Sequence, residues 1–136
     1  MFEIQRLDHL VLRARDCQAL VDFYCEVLGM KVERTVESVG LVQLRAGASL
    51  IDIVDSNGVL GRRRGEPPDS NNGANLDHFC LRIEPFDAEA IRSHLESHGV
   101  DTGDVQTVYG AEGYGPSIYL DDPEGNTVEL KGPSQS

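Results

Sequence analysis

Two histidines and two carboxylates in this 136-residue chain have residue types and positions that suit metal binding. His9 and His78 each follow an aspartate in two copies of one pattern, Asp-His-x-x-Leu-Arg. Asp52 and Glu129 each stand between aliphatic residues, in the short runs Leu-Ile-Asp-Ile and Thr-Val-Glu-Leu. An acidic side chain in such a run is costly to bury unless something compensates its charge.

Together these four side chains would suit a divalent cation. Two neutral imidazoles and two carboxylates carry a summed charge of −2, which balances one M²⁺ ion. Imidazole and carboxylate ligands favour borderline to hard metals such as Zn, Ni, Co, Fe or Mn over metals that prefer thiolates. Four protein ligands also leave room for one or two waters, as a catalytic metal requires. The sequence therefore predicts one divalent metal per site.

The repeated pattern predicts two copies of one structural unit, because the elements after each copy also match. In the first unit, Asp16 is a good N-cap for a helix that Gly29 would end. In the second unit, Asp87 and Gly99 have the same roles. The remaining apolar runs predict strands at residues 3–14, 31–37, 41–45 and 49–54 in the first unit, and at 76–83, 104–109, 117–121 and 127–131 in the second.

Each unit therefore has the order β-α-β-β-β, and the fold class is α+β. We expect one domain over residues 1–136, with module 1 at 1–54, a polar linker at 55–75 and module 2 at 76–136. Strand alternation puts the histidines and carboxylates on the face opposite the aliphatic residues. We expect each helix to cover the aliphatic face.

Composition excludes several classes of function. A net charge of −11 argues against nucleic acid and anionic membranes, which both require basic surface. No apolar run is long enough for a membrane span, and the first residues lack the features of a signal peptide, so we expect a cytoplasmic protein. The three cysteines form no CxxC pair and are expected to be reduced.

Two other patterns are weaker evidence for a functional site. His94 and His98 are four residues apart on the second predicted helix, but the HExxH pattern is absent. The glycines between residues 110 and 115 do not open a helix, which argues against nucleotide binding and favours a mobile loop beside the site.

The motifs resemble the vicinal oxygen chelate superfamily, which includes glyoxalase I, fosfomycin-resistance thiol transferases, extradiol dioxygenases and bleomycin-binding proteins. The resemblance rests on the two Asp-His motifs, on Phe-Tyr-x-x-Val-Leu-Gly-Met at residues 23–30, and on Asp-Pro-x-Gly-Asn-x-x-Glu-Leu at residues 122–130. The resemblance covers nearly the whole chain, and the motifs are most similar to those of the glyoxalase branch.

The resemblance implies that paired βαβββ modules form half-barrels around a metal whose ligands are His9, Asp52, His78 and Glu129. It also implies that Glu129 is the general base of a glyoxalase-type lyase or isomerase, which removes a proton beside a carbonyl to give a metal-bound enediolate. Arg13 matches an arginine that contacts substrate. A homodimer, with each site built from both chains, is the arrangement that the family implies.

Three positions depart from glyoxalase I and leave the substrate open. The first carboxylate is Asp52 where glutamate is usual, Ser56 replaces an asparagine, and residues 110–115 contain no lysine. The alternatives are a metal-dependent thiol transferase that opens an epoxide, a ring-cleaving dioxygenase, and a metal-free drug-binding resistance protein.

Overall fold

The computed structural model describes residues 1–64 and 76–135. The chain divides into two compact units, Met1–Asp69 and Ser70–Ser136. Much of the predicted linker, residues 65–75, lies outside the described residues, so its assignment stays a prediction. Within the described residues, no helix is both long and apolar enough to span a membrane.

The first unit is a four-stranded mixed sheet with one helical segment. Its sheet order is β1-β4-β3-β2, with β1 parallel to β4 and the other neighbours antiparallel. The elements are β1 (His9–Ala14), α1 (Cys17–Asp22) continued by a π-helical turn (Phe23–Val27), β2 (Lys31–Val36), a 3₁₀ turn (Glu37–Val39), β3 (Leu41–Ala46), β4 (Ser49–Asp55) and a 3₁₀ turn (Gly61–Arg64).

Local sequence explains how the first helix begins and ends. The carboxylate of Asp16 accepts a hydrogen bond from the Ala19 amide at 3.1 Å, as an N-cap should. Gly29 ends the helical segment with a φ of 78°, a conformation that costs glycine little. Helix α1 packs on β1 and β4, and this aliphatic face is buried through residues such as Leu12, Leu20 and Ile53.

The second unit repeats the first. Its sheet order is β5-β8-β7-β6, with β5 parallel to β8. Asp87 caps its helix by accepting from the Ala90 amide at 3.1 Å. The elements are β5 (Phe79–Arg82), α2 (Ala88–Ser97), β6 (Gln106–Gly110), β7 (Gly113–Asp121) and β8 (Thr127–Lys131).

The predicted α+β class and the βαβββ order of both units are confirmed. Some boundaries differ, and strand pairing explains why. Strand β1 begins at His9, although its contacts with β4 continue back to Asp8, whose carbonyl accepts from the Leu50 amide at 3.1 Å, and to Leu7, whose carbonyl accepts from Ser49 Oγ at 2.8 Å. Strand β4 begins at Ser49, so residues 3–6 lie beyond the register of its pairing with β1. Residues 110–115, predicted as a mobile loop, instead form a tight hairpin in which Gly110 pairs with Gly113.

Candidate functional site

Parallel pairing of the first and last strands places one histidine near one carboxylate in each unit. In the first unit, Asp52 is the register partner of Val11, two residues beyond His9 on the same face. In the second unit, Glu129 is the register partner of Cys80, two residues beyond His78. We call these the first pair (His9 and Asp52) and the second pair (His78 and Glu129).

The second pair is in direct contact. His78 Nε2 lies 3.2 Å from Glu129 Oε1, and His78 Nδ1 lies 2.7 Å from Asp77 Oδ2. The hydrogen bond to Asp77, followed by the charges of both carboxylates, raises the pKa of His78 against the opposing effect of burial. Both ring nitrogens of His78 lie within hydrogen-bond distance of a carboxylate, so a cation bound at Nε2 would replace the hydrogen bond to Glu129.

Glu129 is buried, with 3% of its surface exposed, and several donors surround it. Ser117 Oγ donates to Oε2 at 2.6 Å, and Tyr119 and Cys80 also hydrogen-bond to this carboxylate. Burial acts to raise the pKa of Glu129, but these hydrogen bonds and the charge of His78 outweigh it and lower the pKa. The side chain is therefore an ionised carboxylate at neutral pH.

The pKa of the Cys80 thiol is affected by the same carboxylate. Cys80 is an exposed residue of the strand, yet desolvation at the sheet surface and the negative charge of Glu129 raise its thiol pKa to about 11. A thiol with this pKa is protonated at neutral pH and donates to Glu129 instead of acting as a nucleophile.

The first pair is arranged differently. His9 Nδ1 lies 2.9 Å from Asp8 Oδ2, and this hydrogen bond, followed by the charge of Asp52, raises the pKa of His9. Asp52 is buried, with 6% of its surface exposed, and both its oxygens accept from Gln43 Nε2 at 3.2 Å. The carbonyl of Gln43 in turn accepts from Arg34 at 3.4 Å.

Both histidines have the surroundings of metal ligands. A ligating histidine usually gives its second ring nitrogen to a carboxylate, which fixes the ring and leaves the other nitrogen for the metal. Asp8 and Asp77 have this position in the two units. The donor types in each pair therefore fit a divalent cation, and each pair supplies two ligands. Among residues 1–64 and 76–135, no group of three or more His, Cys, Asp or Glu side chains is arranged to hold a metal.

Arg13, the expected substrate contact, lies on β1 two residues beyond Val11 and is half-buried. Alternation puts it on the same face of the sheet as His9. Its role in binding substrate stays a prediction.

The residues that surround the two carboxylates are not predicted by the sequence motifs. The aspartate before each histidine was visible in both motifs and could have been assigned as its orienting partner. Ser117 and Tyr119 lie two residues apart on β7, and Tyr119 is the register partner of Glu129. Gln43 has the equivalent position opposite Asp52 on β3. These neighbours could be found only once the strand register was known.

Known proteins are similar to this chain in sequence or in fold. A glyoxalase domain-containing protein, RDO1 of Mycosarcoma maydis, is 31% identical over 129 residues, which are 93% of this chain and 68% of that protein. A lactoylglutathione lyase from Agrobacterium tumefaciens superposes with a TM-score of 0.67 at 20% identity, covering 95% of this chain and 94% of that one. The antibiotic-binding protein TnmS3 from Streptomyces sp. CB03234 gives 0.73 at 20% identity, covering 98% and 100%.

The two solved structures show that the fold is shared. One of these two proteins is named as a lyase and the other as an antibiotic-binding protein. The family model described as Glyoxalase/Bleomycin resistance protein/Dioxygenase superfamily matches residues 6–130, which include both pairs. With the RDO1 match and the duplicated βαβββ unit, this makes the chain a member of the glyoxalase, bleomycin resistance protein and dioxygenase superfamily.

Proposed function

We propose that this protein is a divalent-metal-dependent lyase or isomerase of glyoxalase type. Its substrate is a small carbonyl compound or thiohemiacetal, and the reaction begins with removal of a proton from the carbon beside the carbonyl. The observation that carries the proposal is Glu129, a buried and ionised carboxylate that contacts the ring of His78 at 3.2 Å.

The surroundings of Glu129 suit a general base. Ser117 holds Oε2 at 2.6 Å, and this leaves Oε1 on the side of His78. A base held by several donors keeps one orientation, so little reorganisation is needed when it takes a proton. Its lowered pKa keeps it unprotonated at neutral pH, although the same donors make it a weaker base.

The metal ligands in this proposal are His9, Asp52, His78 and Glu129. Zn, Ni, Co, Mn and Fe all suit this ligand set. A bound divalent ion would act as a Lewis acid toward the substrate oxygen and lower the pKa of the adjacent C–H. The residues of the chain then orient the substrate, accept the proton at Glu129 Oε1 and return it.

Each unit supplies one pair, and a four-ligand site needs both. We propose a homodimer in which the first pair of one chain and the second pair of its partner form each site. Co-expression of two inactive variants tests this arrangement. A heterodimer of His9→Ala with His78→Ala contains one fully intact site if the sites are shared between chains, and none if each site lies within a chain. The purified heterodimer should have about half the wild-type activity, and the unseparated mixture, in which about half of the dimers are heterodimers, about a quarter. No recovery would contradict shared sites.

Elemental analysis separates the enzyme from a metal-free drug-binding protein. The second function is considered because TnmS3, which shares the fold, is named as an antibiotic-binding protein. We expect about one divalent ion per site after reconstitution with Ni, Co, Zn or Mn. His78→Ala and Glu129→Gln should lose most of it, whereas the exposed helix histidine variant His94→Ala should bind as the wild type does. No bound metal after reconstitution would reject the metalloenzyme.

Turnover then defines the reaction. The metal-loaded protein is tested on the methylglyoxal–glutathione hemithioacetal, and exchange of the substrate C–H with solvent deuterium is followed by NMR. Exchange that disappears in Glu129→Gln at saturating metal, but persists in Asp52→Asn under the same conditions, supports the proposed base. Metal binding without exchange in any tested carbonyl compound would contradict it.

A further inference from the structure

Lys131 is a buried cation two residues beyond Glu129 on β8, and the reaction proposed above does not use it. Only 6% of its surface is exposed. Its ammonium donates to the carbonyl of Gly113 at 3.2 Å. In the part of the chain that the structure describes, no carboxylate lies within 4 Å of this nitrogen. Burying a charge without a counter-ion costs free energy, so the burial of Lys131 needs an explanation.

The neighbouring cation on the same face is already neutralised. Arg82 is the register partner of Lys131 on β5, and it forms ion pairs with Glu84 and Glu112. Glu112 lies at the tip of the β6–β7 hairpin, which also carries the Gly113 carbonyl. The hairpin therefore supplies a full counter-charge to Arg82 but a single carbonyl to Lys131. An ammonium has three N–H donors, so two are left for another acceptor.

The hairpin makes space for the lysine side chain. A Cβ atom at Gly110 would lie 2.9 Å from Lys131 Cε, and one at Gly115 would lie 2.8 Å from Nζ. Any larger residue at these two positions would displace the side chain or the hairpin. Gly110 and Gly115 thus leave the space that the lysine side chain fills, and this limits where its ammonium lies.

Strand geometry sets the distance between this ammonium and the proposed base. Lys131 and Glu129 are two residues apart, so they face the same side of the sheet with Cα atoms about 7 Å apart. Ser117 is the register partner of Lys131, and its hydroxyl donates to Glu129 at 2.6 Å. A base and a cation on adjacent rows of one sheet face suit a substrate with an enolisable carbon and a nearby negative group.

We propose that Lys131 binds an oxyanionic group of the substrate, a carboxylate or a phosphate, while the reacting carbon faces Glu129. This inference rests on the function proposed above and narrows its substrate class to small anionic carbonyl compounds. Lys131 then determines specificity, and the proton transfer itself belongs to Glu129.

Two matched pairs of probes test the inference. The first pair is 4-oxopentanoate and its methyl ester, and the second is dihydroxyacetone phosphate and dihydroxyacetone. Within each pair the carbonyl is retained and the oxyanion is removed. The chain contains two lysines, Lys31 on an exposed position of β2 and Lys131, so NMR of protein labelled in its lysine side chains gives two signals. Lys31→Met assigns them.

In the zinc-loaded wild-type protein, the Lys131 signal should shift with a charged probe and stay in place with its neutral counterpart. The Lys31 signal should not move with either. A response to the carboxylate alone or to the phosphate alone supports the inference and identifies the oxyanion. A Lys131 signal that stays unmoved by both charged probes, or that moves equally with charged and neutral members, overturns it.

Binding measurements on variants show how much Lys131 contributes to the affinity for each probe. Lys131→Met keeps the aliphatic stem and should weaken binding of the charged probe about tenfold or more, with no change for the neutral one. Lys131→Arg should retain most of the preference, and Lys31→Met should bind as the wild type does. Equal loss for charged and neutral probes would assign Lys131 a structural role. If Lys131→Met does not fold, the wild-type NMR result decides.

Deuterium exchange distinguishes this inference from the proposed function. Glu129→Gln should abolish exchange in both members of a pair, whereas Lys131→Met should slow it only in the charged member. Exchange that continues in Glu129→Gln would reject the proposed base and leave the charge preference of Lys131 to be judged from binding.

Discussion

The two units place a histidine and a carboxylate at equivalent positions, yet they surround the carboxylates differently. Asp52 accepts both of its hydrogen bonds from the amide of Gln43. Glu129 accepts from a hydroxyl, a phenol, a thiol and the ring of His78. Glutamate is one methylene longer than aspartate, which allows Glu129 to reach the histidine. The duplicated backbone fixes where the carboxylates lie, and the neighbouring side chains decide what each can do.

The two units also differ at the positions two residues beyond the carboxylates. Lys131 follows Glu129 on its strand and faces Ser117, whereas the equivalent positions of the first unit are Val54 and Leu41. The second unit therefore has the proposed base, its hydrogen-bond donors and a lysine on one face. The first unit has a carboxylate with one amide donor, followed by apolar residues. We infer that the first unit mainly holds the metal, whereas the second also carries the proton transfer and recognises the substrate.

The largest expected difference is in catalysis. At saturating metal, Glu129→Gln should slow proton exchange by about 10²–10⁴-fold, the usual contribution of a general base. Asp52→Asn should slow it by about tenfold or less, because this residue would only hold the metal. Deuterium exchange by NMR measures both. An equal or greater loss in Asp52→Asn would reverse the roles assigned to the two units.

The orienting aspartates should show no such asymmetry. Asp8→Asn and Asp77→Asn each remove the charge beside a histidine Nδ1, and each should weaken metal binding by about 10–100-fold. Competition with a chromophoric chelator measures the affinities. Asp101→Asn, a change at an exposed loop position, is the control and should have no effect. Wild-type affinity in both motif variants would show that these aspartates do not support a metal ligand.

Stability should depend on how many donors each carboxylate has. Gln43→Leu removes both hydrogen bonds described for Asp52 and should lower the free energy of unfolding by about 1–3 kcal/mol. Tyr119→Phe removes one of several donors to Glu129 and should cost about 0.5–1.5 kcal/mol. Urea denaturation compares them, with the exposed Gln106→Leu as control. A larger loss in Tyr119→Phe would contradict the view that Glu129 is held redundantly.

The smallest expected effect is on thiol reactivity. Because its pKa is about 11, Cys80 should react slowly with iodoacetamide at pH 8 despite its exposure. Glu129→Gln removes the charge that contributes to this pKa and should speed alkylation several-fold. Asp52→Asn, in the other unit, should leave the rate unchanged. Mass spectrometry of the Cys80 peptide gives the rates, and identical rates in all three proteins would exclude an influence of Glu129 on this thiol.

Much of the fold could be predicted because each unit repeats the same local signals. Asp16 and Asp87 cap the helices, Gly29 and Gly99 follow their last turns, and the strand runs are apolar. The beginning of β1 could not be predicted, because residues 3–6 have strand-like composition but lie beyond the register of β4, whose contacts with this segment end at Leu7. Local sequence contains no information about the length of a distant partner strand.

The candidate site was predictable only in its repeated part. His9, His78, Asp52 and Glu129 could be chosen because each has a counterpart in the other unit. Lys131 has no such counterpart, since the equivalent residue is Val54. Lys131 lies against the β6–β7 hairpin only in the folded sheet. The glycines of residues 110–115 therefore point to this contact only once the strand register is known. Unique features of a duplicated fold are therefore the ones that repetition cannot reveal.

The parallel pairing of first and last strands also governs how the pairs form and come apart. Strands β1 and β5 are the outermost strands of their sheets, and their one neighbour in each sheet is the last strand of the same unit. The β2–β3–β4 meander can form from local contacts, whereas the histidine joins the carboxylate only through the longest loop closure of the unit. Fraying at the sheet edge would remove the histidine and leave the carboxylate in place. A ligand that contacts both members of a pair therefore clamps the edge strand, so hydrogen exchange along β1 and β5 should report occupancy of the site.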